Sequence, residues 1–486
     1  MSKEYSKMNM PNMTLARKRL NKNTNVIRYS LNPLYSKLGE GKTYHLKTYG
    51  CQGNLADSEK IRGILEAMGY SYVDCDEKAD LIIFNTCAIR ENAENRVFGE
   101  LGRIKNLKKE NPNLIMVLCG CMSQEENIVN KIKEKYPQVD IVFGTHNIHK
   151  IDEYIYDVIV EKKKVIDVYS FEGDIVEDVP VIRDHNKKAW VNIMYGCDEF
   201  CTYCIVPYTR GKERSRMPED IINEVKSLAK EGYVEVTLLG QNVNAYGNDF
   251  SDRKYTFANL LDDLYKTDIK RIRFTTSHPR DLDDETIRVM AKGGNIMPHL
   301  HLPVQSGSNN ILKKMNRKYD ISYYQEKLKL IRSYFPLINI TADIMVGFNG
   351  EDSDLFNKAY KFIDSCKYGE THIFPYSPRP NTKAYLESQK IKFSDAVNDF
   401  TKKLRVNDLL SLNEINALEY RKKFVGMIVE VIVEKIENGI AFGHSSNYLE
   451  VKFPVVDALE NELVYVLITK AGYPISEGVE KNVIKK

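Results

Sequence analysis

The chain has 486 residues, 43% of them hydrophobic, and its 70 Lys and Arg against 67 Asp and Glu leave a net charge of +3. That length suits about three ordinary domains, and the near balance of charge neither demands nor excludes a nucleic-acid partner. No apolar run approaches the roughly 18 residues of a membrane span and no apolar core opens the chain, so it reads as a cytoplasmic protein, away from the membrane, whose nine cysteines are reduced thiols or metal ligands.

Residues 1–42 carry nine Lys and Arg, among them Arg17-Lys-Arg19, against Glu4 and Glu40. With little apolar periodicity, residues 1–41 are expected to form a basic disordered tail. Such a tail is either an arm that contacts phosphates or a solvated leader, and a transit peptide would share its composition.

From Lys42 strand and helix patterns alternate. Tyr44-His-Leu-Lys-Thr-Tyr49 is a strand candidate ending at Gly50-Cys51, and residues 58–68 form a helix with Ile61, Ile64, Leu65 and Met68 on one face. Leu81-Ile-Ile-Phe84 and Leu114-Ile-Met-Val-Leu118 are continuous apolar runs, as strands buried on both faces require. Residues 42–160 therefore read as a doubly wound α/β domain.

Cys51, Cys87 and Cys121 each fall just past the carboxyl end of one of these strands. In an open parallel sheet those ends share the rim where ligand sites form, so three cysteines far apart in sequence can converge there. Plain core cysteines are the alternative. Cys119 competes with Cys121 as the third member; Cys121 is preferred because Cys119 lies within the apolar strand and Gly120 begins the turn. Cys75 and Cys366 have no partner pattern and read as structural.

Residues 161–182, with the run Glu161-Lys-Lys-Lys164, read as an edge hairpin and linker. Residues 183–415 alternate strand and helix again. Ala189-Trp-Val-Asn-Ile-Met-Tyr195 leads through Gly196 into Cys197-Asp-Glu-Phe-Cys201-Thr-Tyr-Cys204. Three thiols so spaced on one loop each bind one iron of a cubane cluster and leave the fourth iron open for substrate or cofactor. Three thiols that are neighbours by chance, or a zinc site, are the alternatives, but zinc usually takes four ligands in paired spacings.

Further strands are expected at 234–239, 271–275, 299–303, 338–346 and 371–375, which with the strand before Cys197 make six βα units of a partial parallel barrel. Function in such barrels sits at the strand carboxyl ends. There the polar segments Gly240-Gln-Asn-Val-Asn244, Ser277-His-Pro-Arg280, Gln305-Ser-Gly-Ser308 and Gly347-Phe-Asn-Gly350 fall. After a helix expected over 392–423, residues 416–480 turn to short β-branched runs at 425–433, 439–443, 448–453 and 463–469, a small β-barrel pattern. From Phe424 to Lys486 six Lys oppose nine Asp and Glu, so this domain is no broad phosphate sponge.

The central loop resembles the radical S-adenosylmethionine (SAM) superfamily, and the resemblance implies a [4Fe-4S] cluster at Cys197, Cys201 and Cys204 whose open iron chelates SAM for one-electron cleavage. Lys47-Thr-Tyr-Gly-Cys51-Gln-Gly-Asn-Leu-Ala-Asp-Ser58, Asn85-Thr-Cys87-Ala-Ile-Arg90 and Gly120-Cys121-Met-Ser-Gln124 resemble the methylthiotransferases within it. That resemblance implies a second, auxiliary [4Fe-4S] cluster on Cys51, Cys87 and Cys121 that carries the sulfur. It also implies SAM contacts from Gln241, Ser277, Gln305 and Gly347. Tyr203 is a candidate to pack on the adenine, with a cluster shield or a core aromatic as the alternative. The C-terminal domain resembles TRAM, an OB-like RNA-binding module.

Residues 85–99 most resemble the branch that places a methylthio group on C2 of N6-isopentenyladenosine beside the tRNA anticodon, using two SAM. The implied partners are tRNA, an electron donor such as flavodoxin or ferredoxin, and a sulfur source; a monomer is expected. The rivals are sibling enzymes acting on threonylcarbamoyladenosine or on a ribosomal-protein aspartate, a non-catalytic tRNA-binding iron-sulfur protein, and a radical SAM activase.

Overall fold

The computed structural model describes residues 4–18, 24–88, 91–185, 187–252, 254–390 and 397–481. Its first nine strands are β1 (Tyr5–Asn9), β2 (Val26–Arg28), β3 (Thr43–Tyr49), β4 (Ser71–Tyr72), β5 (Leu81–Thr86), β6 (Ile115–Gly120), β7 (Ile141–Phe143), β8 (Lys164–Asp167) and β9 (Ile175–Glu177). Seven of them make one parallel sheet in the order β1-β8-β7-β6-β5-β3-β4.

The apolar runs are continuous because both faces are covered. Ile83, Val117 and Phe143 meet the helices Gln52–Ala67 and Ile151–Ile159 through Ile61, Ile64, Tyr154 and Ile155. Ile82, Phe84, Met116 and Leu118 meet the helices Glu91–Glu110 and Glu126–Lys135 through Val97, Leu101, Ile128 and Ile132. Each such side chain contributes about 1.5–3 kcal/mol by leaving water. The chain passes from β3 outward to β4 and returns to β5 on the other side of β3, so a crevice opens at the carboxyl ends of β3 and β5.

Two expectations fail here. Residues 1–41 are not a disordered tail where they are described: β1 is an edge strand paired with β8, Met13–Lys18 is a helix, β2 pairs with β9, and Tyr29, Leu31, Tyr35 and Leu38 pack on the first core. Nor do residues 161–182 merely link domains, since β8 lies inside the sheet between β1 and β7. Backbone pairing rather than side-chain burial secures β1, whose residues are half-buried or exposed. Ion pairing of Lys7 with Glu153 accommodates its charge.

The core has β10 (Lys188–Asn192), the short hairpin strands β11 (Met194–Tyr195) and β12 (Arg214–Ser215), then β13 (Glu235–Leu239), β14 (Arg271–Phe274), β15 (His299–His301), β16 (Asn339–Val346) and β17 (Glu370–Pro375). β10-β13-β14 and β15-β16-β17 form two parallel sheets in chain order, with the bridge Ile272↔Ile296 near their seam, so all six expected strands build the partial barrel.

The last domain closes five strands, β18 (Ile428–Glu437), β19 (Ile440–Ser445), β20 (Glu450–Pro454), β21 (Leu463–Lys470) and β22 (Ser476–Lys481), into a barrel of order β18-β19-β20-β22-β21. The strand β22 was not expected. No domain boundary falls at 415/416, because one helix, Asp399–Lys422, carries Leu409 and Leu412 into the core and Tyr420 into the small barrel. The expected start of that helix at 392 lies in part outside the described residues.

Along β14, Ile272 and Phe274 join the core beneath the helices while Arg271 and Arg273 face the lumen. Those arginines meet the C-terminal barrel. Arg271 Nη2 lies 3.0 Å from Glu430 Oε1, and Arg273 Nη2 donates to the Ser445 carbonyl at 2.9 Å. His299 stacks on Tyr448 with ring centroids 4.9 Å apart, and Asn339 Nδ2 donates to the Asn447 carbonyl at 2.8 Å. Arg271, His299 and Asn339 each open their strand and Arg273 lies two residues further along β14, so the small barrel covers that end of the larger one.

Candidate active site

At the crevice of the N-terminal sheet, Cys51 follows β3 and caps the helix Gln52–Ala67, Cys87 follows β5, and Cys121 follows β6. A buried polar network lies beneath them. Asn54 Nδ2 donates to Asn85 Oδ1 at 3.0 Å, and Asn85 Nδ2 donates to the Asn54 carbonyl at 2.8 Å and to Ser58 Oγ at 2.9 Å. Gly120 has φ +94° and ψ −166°, a region essentially reserved for glycine, and turns the chain so that Cys121 reaches the rim.

Cys119 faces the opposite way, packed with Ile115 and Val117 in the first core, and burial pushes its thiol well up. The Cys51 thiol is pulled down to about 5, first by hydrogen bonding with Cys87 and also, against burial, by the charge of Arg210. Burial raises Cys121, which Arg210 opposes. Arg210 reaches across from the core domain, its Nε 3.2 Å from Cys121 Sγ and its Nη2 2.7 Å from Asp57 Oδ2.

The second thiol group stands on the loop between β11 and β12. Gly196, with φ +75°, enters it; a Cβ there would lie 1.9 Å from the Lys212 carbonyl oxygen. The Cys204 amide donates to the Cys201 carbonyl at 2.9 Å, and the Thr202 amide to the Met315 carbonyl at 3.0 Å. Arg317 donates from Nη1 to Cys201 Sγ at 3.4 Å, from Nε to the Tyr319 hydroxyl at 2.8 Å and from Nη2 to the Pro303 carbonyl at 3.0 Å. Burial, and then Cys201, raise the Cys204 thiol to about 12, and burial, then Cys204, push Cys197 well up. Thiols raised in this way by burial ionise only against a cation, which an iron cluster would provide.

The remaining sequence candidates distribute along the carboxyl rim of the core. Gln241 follows β13 and is half-buried. Ser277 follows β14; its Oγ is buried without a hydrogen-bond partner among the described residues. Gln305 follows β15 at φ +69°, its amide donating to the Asp343 carbonyl at 2.9 Å, and its Oε1 is likewise buried and unpartnered. Gly347 follows β16 at φ +73° and donates its amide to Glu351 Oε2 at 3.2 Å.

Tyr203 packs edge-on against Phe348, ring centroids 6.2 Å apart, in a small apolar cluster with Ile311 and Met315. Sequence reasoning missed Arg210, Arg317 and Asn244, whose buried side-chain amide has neither polar atom paired among the described residues. The closeness of Arg210 to Cys204 in the chain and the place of Asn244 in the polar segment 240–244 were their only sequence signals. It also missed a polar group in the lumen, where His301 Nε2 lies 3.4 Å from Asp343 Oδ1, His301 Nδ1 lies 2.9 Å from Thr341 Oγ1, and the His372 ring lies 5.7 Å from that of His301. Buried polar atoms left unpaired cost about 1–3 kcal/mol each, so this rim is built for a polar ligand.

Residues 43–144 match the uncharacterized protein family UPF0004, and residues 191–363 match the radical SAM superfamily. The radical SAM methyltransferase TsrM from Kitasatospora setae shares the fold, with a TM-score of 0.52 at 13% identity over 71% of this chain and 75% of that one. Fold and cysteine loop together define a radical SAM enzyme, and with that class come SAM and a [4Fe-4S] cluster.

The tRNA-2-methylthio-N(6)-dimethylallyladenosine synthase of Bacillus licheniformis is 49% identical over 93% of this chain and 89% of its own length, and that of Bacillus subtilis is 48% identical over the same shares. The chain belongs to the tRNA-2-methylthio-N(6)-dimethylallyladenosine synthase family. Among the described residues no helix is long and apolar enough to cross a membrane.

Proposed function

We propose that this chain places a methylthio group on C2 of N6-isopentenyladenosine in tRNA, with Cys197, Cys201 and Cys204 holding the cluster that binds SAM and Cys51, Cys87 and Cys121 holding an auxiliary [4Fe-4S] cluster. The observation that carries the reading is the juxtaposition of two three-thiol rims on adjoining domains. Residues 205–210, which directly follow Cys204, pack Ile205 and Tyr208 against Cys121 and aim Arg210 at its sulfur. When bound, the two clusters and SAM supply one-electron cleavage and the sulfur to be transferred.

The chain's own residues bind and enclose. Ser277, Gln305 and Asn244 offer unpaired polar atoms to SAM, Gln241 and Gly347 flank it, and Tyr203 backs that pocket through Phe348. The substrate base enters the lumen over His301, Asp343 and His372. The C-terminal barrel contributes RNA binding, and two of its acids do not oppose phosphate, because Glu430 is engaged by Arg271 and Glu434 pairs with Lys188 and His444. A one-electron donor of the flavodoxin or ferredoxin type and an external sulfur source complete the system in the cytoplasm.

The test is an anaerobic reaction with SAM and reductant, offered tRNA carrying isopentenyladenosine beside tRNA carrying threonylcarbamoyladenosine, followed by nucleoside mass spectrometry. A methylthio mass gain on the isopentenyl nucleoside alone is expected. A gain only on the threonylcarbamoyl nucleoside, or SAM cleavage with neither product, overturns the substrate assignment.

A further inference from the structure

Arg210 stands apart from the other charged side chains of the site. It is buried, it belongs to the core domain by sequence, and its guanidinium lies in the crevice of the other domain. The short helix Val206–Thr209 presents it: the Arg210 amide donates to the Val206 carbonyl at 2.8 Å, and its own carbonyl accepts from Arg214 Nη2 at 3.1 Å. The Thr209 carbonyl accepts from Thr145 Oγ1 at 2.6 Å, a further tie to the N-terminal domain. Gly53 leaves the approach open, since even a Cβ there would come no closer than 3.5 Å to Cys51 Sγ and 3.7 Å to Arg210 Nη2.

A buried guanidinium keeps its proton and must be met by negative charge. Asp57 Oδ2 meets Nη2 at 2.7 Å, and Nε points at Cys121 Sγ at 3.2 Å. A cubane held by three thiolates is anionic and gains a further negative charge on reduction, and hydrogen bonds to its sulfurs raise its potential. Arg317 stands in the same relation to Cys201, but its other partners, the Tyr319 hydroxyl and the Pro303 carbonyl, are neutral. Among the described residues, the arginine is shared between a cysteine and a carboxylate at the auxiliary rim alone.

We propose that Arg210 is the residue through which the radical SAM domain sets the charge balance, and so the reduction potential, of the auxiliary cluster, with Asp57 as its opposing partner. The inference rests on the two-cluster reading above. A purely structural ion pair makes a different prediction: losing either partner would loosen the same contact, whereas charge control moves the potential in opposite directions.

The test uses the full-length chain with Cys197, Cys201 and Cys204 replaced by Ala, so that only the auxiliary cluster loads, at about four irons per chain. Its midpoint potential is read by titration followed with electron paramagnetic resonance. R210Q is expected to lower the potential, D57N to raise it, and R210K to stay near the parent. Should R210Q fail to load, the D57N and R210K values still decide, because a structural pair gives no upward shift in D57N. Unchanged potentials, or shifts of one sign in R210Q and D57N, overturn the role of Arg210 while leaving the cluster in place. A parent that loads no iron overturns the auxiliary-cluster reading and this inference with it.

Discussion

Replacing Gly120 with Ala isolates the auxiliary site from the rest of the enzyme. At φ +94° and ψ −166° a side chain is strained by about 1–3 kcal/mol. The new Cβ would also lie 2.5 Å from Asn85 Oδ1 and from the Thr86 carbonyl oxygen, an overpacking that costs a further 1–3 kcal/mol or so. Relief requires β6 to pull its end away from β5, which carries Cys121 away from Cys87. At about 3 kcal/mol the competent arrangement falls roughly a hundredfold in population. The expected result after anaerobic reconstitution is a fall from about eight irons to about four, with reductive SAM cleavage retained and methylthio product lost. The matched control is Gly102→Ala, in the helix Glu91–Glu110 with open space at its Cβ, expected to keep both clusters and to gain about 0.5–1 kcal/mol of stability. Gly120→Ala protein with eight irons and normal product would refute the assignment of Cys121 to the rim.

Ser277→Ala should leave the thermal stability of the SAM-free protein nearly unchanged, because Ser277 Oγ has no partner to lose among the described residues, while weakening SAM binding about tenfold for one lost hydrogen bond; equal affinities by calorimetry would remove Ser277 from the pocket. Burial, then Glu94, raises the Glu125 carboxyl to about 7, so the folded state holds a proton that the unfolded state releases above its ordinary value, and this residue's contribution to stability falls between about pH 4.5 and 7. Denaturant titrations of Glu125→Gln should show a flatter loss across that window, and an unchanged slope would count against the buried acid. Arg271→Ala leaves Glu430 without its cation, while the buried Glu235 keeps Arg273 at 2.8 Å. With Glu430 partly exposed the expected cost is about 2–3 kcal/mol, seen as faster proteolytic release of the C-terminal barrel; equal release rates would show that the floor contacts do not hold it.

The positions of the cysteines, past the strand ends and on one loop, were legible because both depend on short-range signals. A tight C-x3-C-x2-C loop fixes its own geometry, and a doubly apolar strand announces where its carboxyl end lies. The same rule separated Cys121 from Cys119, since the structure turns one to the rim and leaves the other in the core. What the sequence hid are pairings between distant segments. β1 has no apolar alternation of its own and exists because β8 offers an edge, about 160 residues away. Arg271, Arg273 and Arg210 look like surface arginines until the domains that neutralise them are docked. The short strand β22, Ser-Glu-Gly-Val-Glu-Lys, is polar enough to pass for a loop and is held by its ladder with β21.

The plug that the C-terminal barrel makes against Arg271, Arg273, His299 and Asn339 turns the reaction chamber into a cul-de-sac. The end left open is the carboxyl rim, beside which both cysteine groups stand. An RNA docked across that rim becomes the stopper of its own reaction vessel, keeping solvent out and keeping cleaved cofactor in.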